Sequence, residues 1–266
     1  MRVGFFQFDP RFGEAEANLQ TACSAIAGAR ADLLVLPELA ASGYLFTSAE
    51  EVDSLSEPLP GPATERLQAA CAMSGCRVVI GLAERAGSGK GTRFYNSAAL
   101  VGPAGLEGVY RKLHLFNTEK LYFTPGDELP LFEVDGVKVG LLVCFDHMFP
   151  EAARTLALKG AQVICHPSNL VLPEYAQLTT RVRAIENRVF WIMCNRYGSE
   201  SRGGTTLRYT GVSQIISFDG KLLARAAAEG DSLTVVDIDP AQAQNKAITS
   251  RNDLFTDRRV ELYRFR

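Results

Sequence analysis

The sequence predicts an α/β fold built on a mixed sheet or a pair of sheets, and three observations carry that prediction. Short apolar runs of strand length alternate along the chain with stripes of helical period. Some runs are apolar throughout, as in Val139, Leu141, Leu142 and Val143, which is the pattern of a strand buried on both faces. Asp-Gly pairs recur between apolar runs, at Asp135-Gly136 and Asp219-Gly220, and such pairs favour tight antiparallel hairpins. Crossover helices between parallel strands, combined with hairpins, require a mixed arrangement. No internal repeat or low-complexity linker interrupts the 266 residues, so residues 1–266 are read as a single domain.

Taken in order, Val3–Phe8 is a strand leading to Asp9-Pro10. A helix follows from about Glu14, with Leu19, Ala22, Cys23 and Ile26 on one face. Leu33–Leu36 is a short buried strand stopped by Pro37, and Glu38 comes directly after it. Gly61–Ser74 is a second helix, carried by Leu67, Ala70 and Cys71. Arg77–Ala83 and Tyr95–Val101 are strands joined across the glycine-rich Gly87–Gly91. Gly108–Leu113 is a further strand entering a long polar segment, Phe116–Gly126. Phe132–Val134 and Val137–Val139 flank the first Asp-Gly turn, and the second run continues towards Val143. Pro150 can take the first helical position, where its missing N–H forfeits nothing, and Ala153, Leu156 and Ala157 give that helix its apolar stripe, ended by Gly160. Gln162–Cys165 is the next buried strand, closing in His166-Pro167-Ser168-Asn169. A longer helix covers about Tyr175–Asn187, followed by the strand Val189–Cys194. Thr210–Ser217 and Leu222–Ala226 form the second hairpin, and Leu233–Ile238 is the last clear strand. From Pro240 the tail is polar, with Arg251, Arg258, Arg259, Arg264 and Arg266, and has no core of its own.

Composition narrows the function. At 47% hydrophobic the chain can build a sizeable core, and its formal net charge of -2, with both signs interspersed, offers no basic footprint for nucleic acid. No apolar run is long enough to span a bilayer, and the N-terminal stretch lacks the pattern of a signal peptide, so a cytoplasmic protein without membrane partners is expected. Six cysteines (Cys23, Cys71, Cys76, Cys144, Cys165, Cys194) fall mostly inside apolar patterns, which suits reduced thiols. Cys71 and Cys76 have no second pair or nearby histidine, so a structural zinc is not expected. Gly87-Ser88-Gly89-Lys90-Gly91 lacks the spacing and hydroxyl of a phosphate loop and reads as a hairpin turn.

Three polar residues stand directly behind buried strands. Cys144 sits where the strand ending at Val143 hands over to a helix, a place that exposes one side chain while the backbone stays rigid. A thiol attacks a carbonyl-like carbon as thiolate, so it needs a base or a cationic neighbour. His166, at the end of the next strand, is a candidate base. His147 follows the cysteine too closely, and the glycines that flank the cysteine of class I glutamine amidotransferases are replaced by bulky Val143 and Phe145. His114, His147 and His166 are therefore read as structural or supporting groups. Glu38, partly desolvated behind its strand, is the alternative base, and Lys112 can point its ammonium into a cleft to favour thiolate and then a developing oxyanion. Glu119, in the same polar segment, could orient Lys112. Each residue alone has an ordinary explanation, a core thiol or a solvated surface charge; their shared position behind strands is what favours a site.

The same residues carry a resemblance. L-P-E-L around Glu38, Y-R-K-L-H-L-F around Lys112 and V-C-F-D-H-M-F-P-E around Cys144 resemble the three signature motifs of the nitrilase superfamily of carbon–nitrogen hydrolases. The likeness continues through Tyr122–Asp127, His166–Asn169, Arg183–Arg188 and the C-terminal D-R-R-V-E-L-Y, and so spans essentially the whole chain. It implies a four-layer α-β-β-α sandwich of two mixed sheets. It further implies Glu38 as general base, Lys112 as stabiliser of oxyanion and intermediate, Cys144 as nucleophile, and Glu119 as the additional glutamate beside the lysine. The backbone N–H of Phe145 is the second oxyanion donor, and Phe145, Tyr44, His147, Ser168 and Asn169 are expected around the substrate. No metal or organic cofactor is implied. A homodimer or larger homo-oligomer is, with the tail from about residue 240 packing on a partner subunit. True nitrilases often carry Cys-Trp-Glu, and N-carbamoyl-amino-acid hydrolases Cys-Asn-Asp-Arg. The run Cys144-Phe145-Asp146-His147 is closer to the amidase and small thermophile-type nitrilase branches, and an amidase of small aliphatic amides is expected. A nitrilase, an N-carbamoyl hydrolase and a silent binding protein on the same fold are the alternatives.

Overall fold

Alternation of side chains about two sheets builds the molecule. In a computed structural model, which describes residues 1–263, the first sheet contains β1 (Arg2–Gln7), β2 (Leu33–Val35), β3 (Arg77–Ala86), β4 (Arg93–Gly102), β5 (Gly105–Arg111) and the late strand β14 (Ser232–Asp237). Their order is β14-β1-β2-β3-β4-β5; β1, β2 and β3 are parallel and the outer pairings antiparallel. The second sheet contains β6 (Leu131–Val134), β7 (Val137–Leu141), β8 (Val163–Ser168), β9 (Phe190–Asn195), β12 (Gln214–Ile216) and β13 (Leu222–Arg225). It repeats the plan in the order β13-β12-β9-β8-β7-β6, with β7, β8 and β9 parallel at its centre.

The period of two along β2 and β3 sorts residues between layers. Leu33, Val35 and Val79 face the second sheet, in one cluster with Val139, Leu141, Val163 and Ile192. Leu34, Leu36, Val78 and Ile80 face outward, against α1 (Ala15–Gly28) and α3 (Pro62–Ser74), through Leu19, Ala22, Ile26 and Leu67. On the far side α5 (Pro150–Leu158) and α6 (Tyr175–Asn187) cover the second sheet with Ala153, Leu156, Ala176 and Ala184. The result is the four-layer α-β-β-α sandwich. Each fully buried aliphatic side chain contributes roughly 1.5–3 kcal/mol relative to exposure.

The expected turns are present in form. Asp135 and Gly136 both have positive φ, 50° and 79°, as a two-residue type I′ hairpin requires, and Gly160 ends α5 at φ 103°. Several boundaries differ from the sequence reading. β8 runs on through His166-Pro167-Ser168 because β7 leaves the sheet after Leu141, so the missing N–H of Pro167 has no neighbour on that side to disappoint. The strand expected over Thr210–Ser217 shrinks to β12, since Gly211 and Val212 both adopt positive φ. The sequence reading contained neither α2 (Ala49–Leu55), capped by Ser48 accepting from Glu51 N, nor the hairpin of β10 (Ser199–Arg202) and β11 (Thr205–Arg208). Helix α4 (Glu119–Tyr122) lies inside the segment read as polar loop.

The first part of the tail is tied to the body of its own chain. Pro240 and Ala243 are buried, and Gln162 donates to the Pro240 carbonyl. Lys246 donates to the carbonyls of Asn187 and Arg188 at the end of α6, and β15 (Ala247–Thr249) pairs with β16 (Asn252–Asp253). This part of the tail packs on its own chain. Val260, Leu262 and Tyr263 are exposed; Arg264 and Arg266 lie outside the described residues.

Candidate active site

Glu38, Lys112 and Cys144 each follow a strand, and the strands converge at one end of the sandwich. The loop holding Glu38 is stitched to β3: Leu36 N donates to Val79 O, Gly81 N to Pro37 O and Ala40 N to Gly81 O, at 2.8, 3.0 and 2.8 Å. The approach is so close that a Cβ at position 81 would lie 2.4 Å from Glu38 Cα, which is why glycine stands there. Lys112 continues β5 and is held by its N–H on Asn96 O at 2.9 Å. Both side chains are fully sealed from solvent.

A buried charge needs partners, and these have them. Lys112 Nζ donates to Glu38 Oε1 at 2.7 Å and to Glu119 Oε1 at 2.8 Å. Asn96 Nδ2 donates to the same Glu38 oxygen at 2.7 Å, so Oε1 is doubly occupied while Oε2 has no protein partner. Glu119 is buried rather than solvated, correcting the polar-loop reading. Its Oε1 also accepts from Tyr44 OH at 2.6 Å and its Oε2 from Phe116 N at 3.1 Å. Burial raises the Glu38 carboxyl above its ordinary range despite the nearby ammonium. Burial opposes the Lys112 charge, but the Glu119 and Glu38 carboxylates outweigh it and hold the ammonium above its usual value.

Cys144 occupies a sharp corner with φ 44°, opening a 3₁₀ turn that runs to Met148. Asp146 fixes the corner from below. Its Oδ2 accepts from Val143 N at 2.8 Å and from Tyr110 OH at 2.7 Å, and its Oδ1 from His114 N at 3.1 Å. His166 Nε2 donates to the Cys144 carbonyl at 2.8 Å. Burial, then the Glu38 charge, pushes the Cys144 thiol well above its ordinary pKa, with Lys112 pulling the other way. The resting sulfur is therefore a thiol beside a carboxylate.

The histidines are placed as supports. Burial lowers His166 to about 3 and, with Arg183 nearby, His147 to about 4, so both rings are neutral at pH 7. Ser168, expected at the substrate, instead sits 3.2 Å from His166 Nε2 and donates to His166 O. Tyr44 is brought to Glu119 rather than to the cavity beside the thiol. That cavity, about 20 Å³, is bounded by Cys144, Phe145, Phe116, Leu170, His147 and Asn169. Asn169 Nδ2 also donates to the Glu38 carbonyl at 2.8 Å, linking the two sheets.

Sequence reasoning missed Asn96, Asp146 and a buried network behind Tyr44. Arg196 pairs with Glu200 and Asp9, and Glu200 accepts from Leu45 N at 2.7 Å, Tyr44 N at 3.2 Å and Tyr209 OH at 3.0 Å. A charged residue directly after β9, with only Asn195 between it and the apolar run, was the available signal for Arg196; Asn96, inside a strand, offered none. Among the described residues no group of three His, Cys, Asp or Glu side chains is arranged to hold a metal ion, and no helix is long and apolar enough to cross a membrane.

Comparison with known proteins places this geometry in context. The family model described as Carbon-nitrogen hydrolase matches residues 2–247. A protein called nitrilase from Pyrococcus abyssi is 42% identical over 268 residues, covering 99% of each chain. An (R)-stereoselective amidase from Pseudomonas sp is 35% identical over 98% of this chain and 93% of its own. Among solved structures, an amidase from Nesterenkonia sp. AN1 superposes with a TM-score of 0.79 at 29% identity, covering 98% of both chains. That structure is of a glutamate-to-glutamine mutant and shows the result of Michael addition of acrylamide at the active site cysteine.

Proposed function

This chain belongs to the carbon–nitrogen hydrolase family, and from that premise we propose that it hydrolyses small aliphatic amides to carboxylate and ammonia through a cysteine thioester. The observation that carries the reading is Glu38: Oε1 is held by Lys112 and Asn96, and the buried Oε2 is left to handle a proton. Glu38 takes the Cys144 proton as sulfur adds to the amide carbon. Lys112 and the Phe145 N–H hold the oxyanion. Collapse of the tetrahedral adduct breaks the C–N bond, and Glu38 returns the proton to the departing ammonia. Water, deprotonated by Glu38, then adds to the thioester carbon; collapse releases the carboxylic acid and the Cys144 thiol. Glu119 holds the Lys112 ammonium in place between the two carboxylates.

The small cavity and its apolar wall support a short acyl group. Six unpaired cysteines support a reducing compartment, the cytoplasm. Exposed Leu178 and Ile185 on α6, with Val260 and Leu262 of the tail, support a homodimer or larger homo-oligomer. The 42% identity to a protein called nitrilase favours a second reading, in which a nitrile enters the same site and forms a thioimidate. An ammonia-release panel of matched amides, nitriles and N-carbamoyl compounds, with products identified, separates them. Propionamide should exceed propionitrile in kcat/KM; the reverse order moves the protein to the second reading.

A further inference from the structure

Two side chains that border the cavity each carry a hydrogen-bond acceptor without a donor. His147 borders it together with Cys144, and its Nδ1 lies 2.6 Å from Thr179 Oγ1. That hydroxyl donates to the Tyr175 carbonyl, one turn earlier on α6, at 2.9 Å. A hydroxyl has one proton; assigning it to that carbonyl makes Oγ1 the acceptor and puts the ring proton on Nδ1. Nε2 is left as a bare lone pair on a neutral ring, and no donor among the described residues engages it. Asn169 borders the same cavity. Its Nδ2 donates to Glu38 O, which sets the orientation of the amide, because the flipped form would place two oxygens together. Its Oδ1 is buried without a donor. The remaining wall, including Phe116, Phe145, Leu170 and Leu172, is apolar, and it contains no Lys or Arg.

We infer that His147, through Nε2 and together with Asn169 Oδ1, selects amides whose acyl part carries a neutral hydrogen-bond donor next to the carboxamide carbon, a 2-hydroxy amide being the simplest. The inference rests on the amidase reading and names its substrate class. A plain alkyl group leaves both acceptors unpaired, the buried Asn169 Oδ1 among them, and an acyl part ending in a carboxylate sets an anion against them with no cation in the wall.

Lactamide and isobutyramide test it, since they differ by hydroxyl for methyl at one carbon. Lactamide should have the higher kcat/KM by about tenfold or more, as expected for a site built around a substrate hydroxyl. The ratio should fall to about one in His147→Phe and survive in part in His147→Gln, which keeps an acceptor. Equal or better turnover of isobutyramide by the wild-type enzyme overturns the inference. So does a preference for pyruvamide over lactamide, which would make Nε2 a donor. Failure to cleave any amide sinks the amidase reading separately. In that event calorimetric binding of the two amides to Cys144→Ala decides the inference by the same order of preference.

Discussion

The two sheets contribute opposite kinds of chemistry to one site. From the first come Glu38, Asn96 and Lys112, joined by Glu119 from the segment that follows β5: a row of formal charges made tolerable by mutual hydrogen bonds. From the second come Cys144, His147, His166 and Asn169, all uncharged at rest. Its one carboxylate nearby, Asp146, is turned away to Val143 N and Tyr110 OH. Burial acts equally on both sides, so the difference lies in partners. A group with an opposite charge at about 2.7 Å keeps its charge; an imidazole without one gives up its proton. The sulfur therefore waits as a thiol on the neutral side for a base on the charged side.

The comparison is broken most severely at the sulfur. Cys144→Ala should abolish turnover, and intact-protein mass spectrometry during turnover should show an acyl adduct in the wild type alone. Full activity in the variant would remove Cys144 from the mechanism. Neutralising the charged side comes next. Glu38→Gln should lower kcat by about 10²–10⁴, as for loss of a proton-transfer group. Glu119→Gln keeps that base but removes one of the negative charges that raise the Cys144 pKa, so the pH profile of iodoacetamide labelling should move to lower pH. A shift to higher pH would show that Glu119 acts on the thiol mainly through the placement of Lys112.

The neutral side can be probed by acid. His147 and His166 titrate in the folded protein at about 4 and about 3, below the unfolded value of roughly 6.5. The unfolded chain therefore binds the extra protons, and the stability gained by keeping the rings neutral is complete above pH ~6.5. It is lost as pH falls from there through the folded values. Thermal unfolding between pH 6.5 and 4.5 should show a slope shallower by about 1.4 kcal/mol per pH unit in His147→Phe than in the wild type. An unchanged slope would mean that His147 is charged in the folded state. The smallest effect is expected at Tyr110→Phe, which removes one of the bonds to Asp146. It should lower stability by about 1 kcal/mol in urea unfolding and kcat a few-fold.

Much of this was legible in the sequence where local pattern determines structure. The Asp135-Gly136 turn, the Pro150 start and Gly160 end of α5, and α6 over Tyr175–Asn187 were all expected from residue type and period. So was the placement of Glu38, Lys112 and Cys144 behind strands. What was not legible depends on distant partners. Glu119 sits in a run of polar residues, and only its contacts with Tyr44 and Lys112, from elsewhere in the chain, draw it inside. Ser168 lies on the face of β8 that meets His166, a matter of strand extent that Pro167 disguised. The β10–β11 hairpin is short and, Leu207 apart, polar, so no periodic signal announced it.

The pairing of β1 with β14 sets a condition in time. Arg2 meets Asp237 across that ladder, so the first strand of the chain waits for one of the last before its sheet edge is closed. Contacts so far apart in sequence are formed slowly. During synthesis, Glu38 and Lys112 emerge from the ribosome before Cys144. The thiol then stays an ordinary side chain until the sheets dock. Refolding from urea should accordingly lose yield in air-saturated buffer and recover it with a reductant, because the unfolded chain exposes six free cysteines, five of which the fold buries.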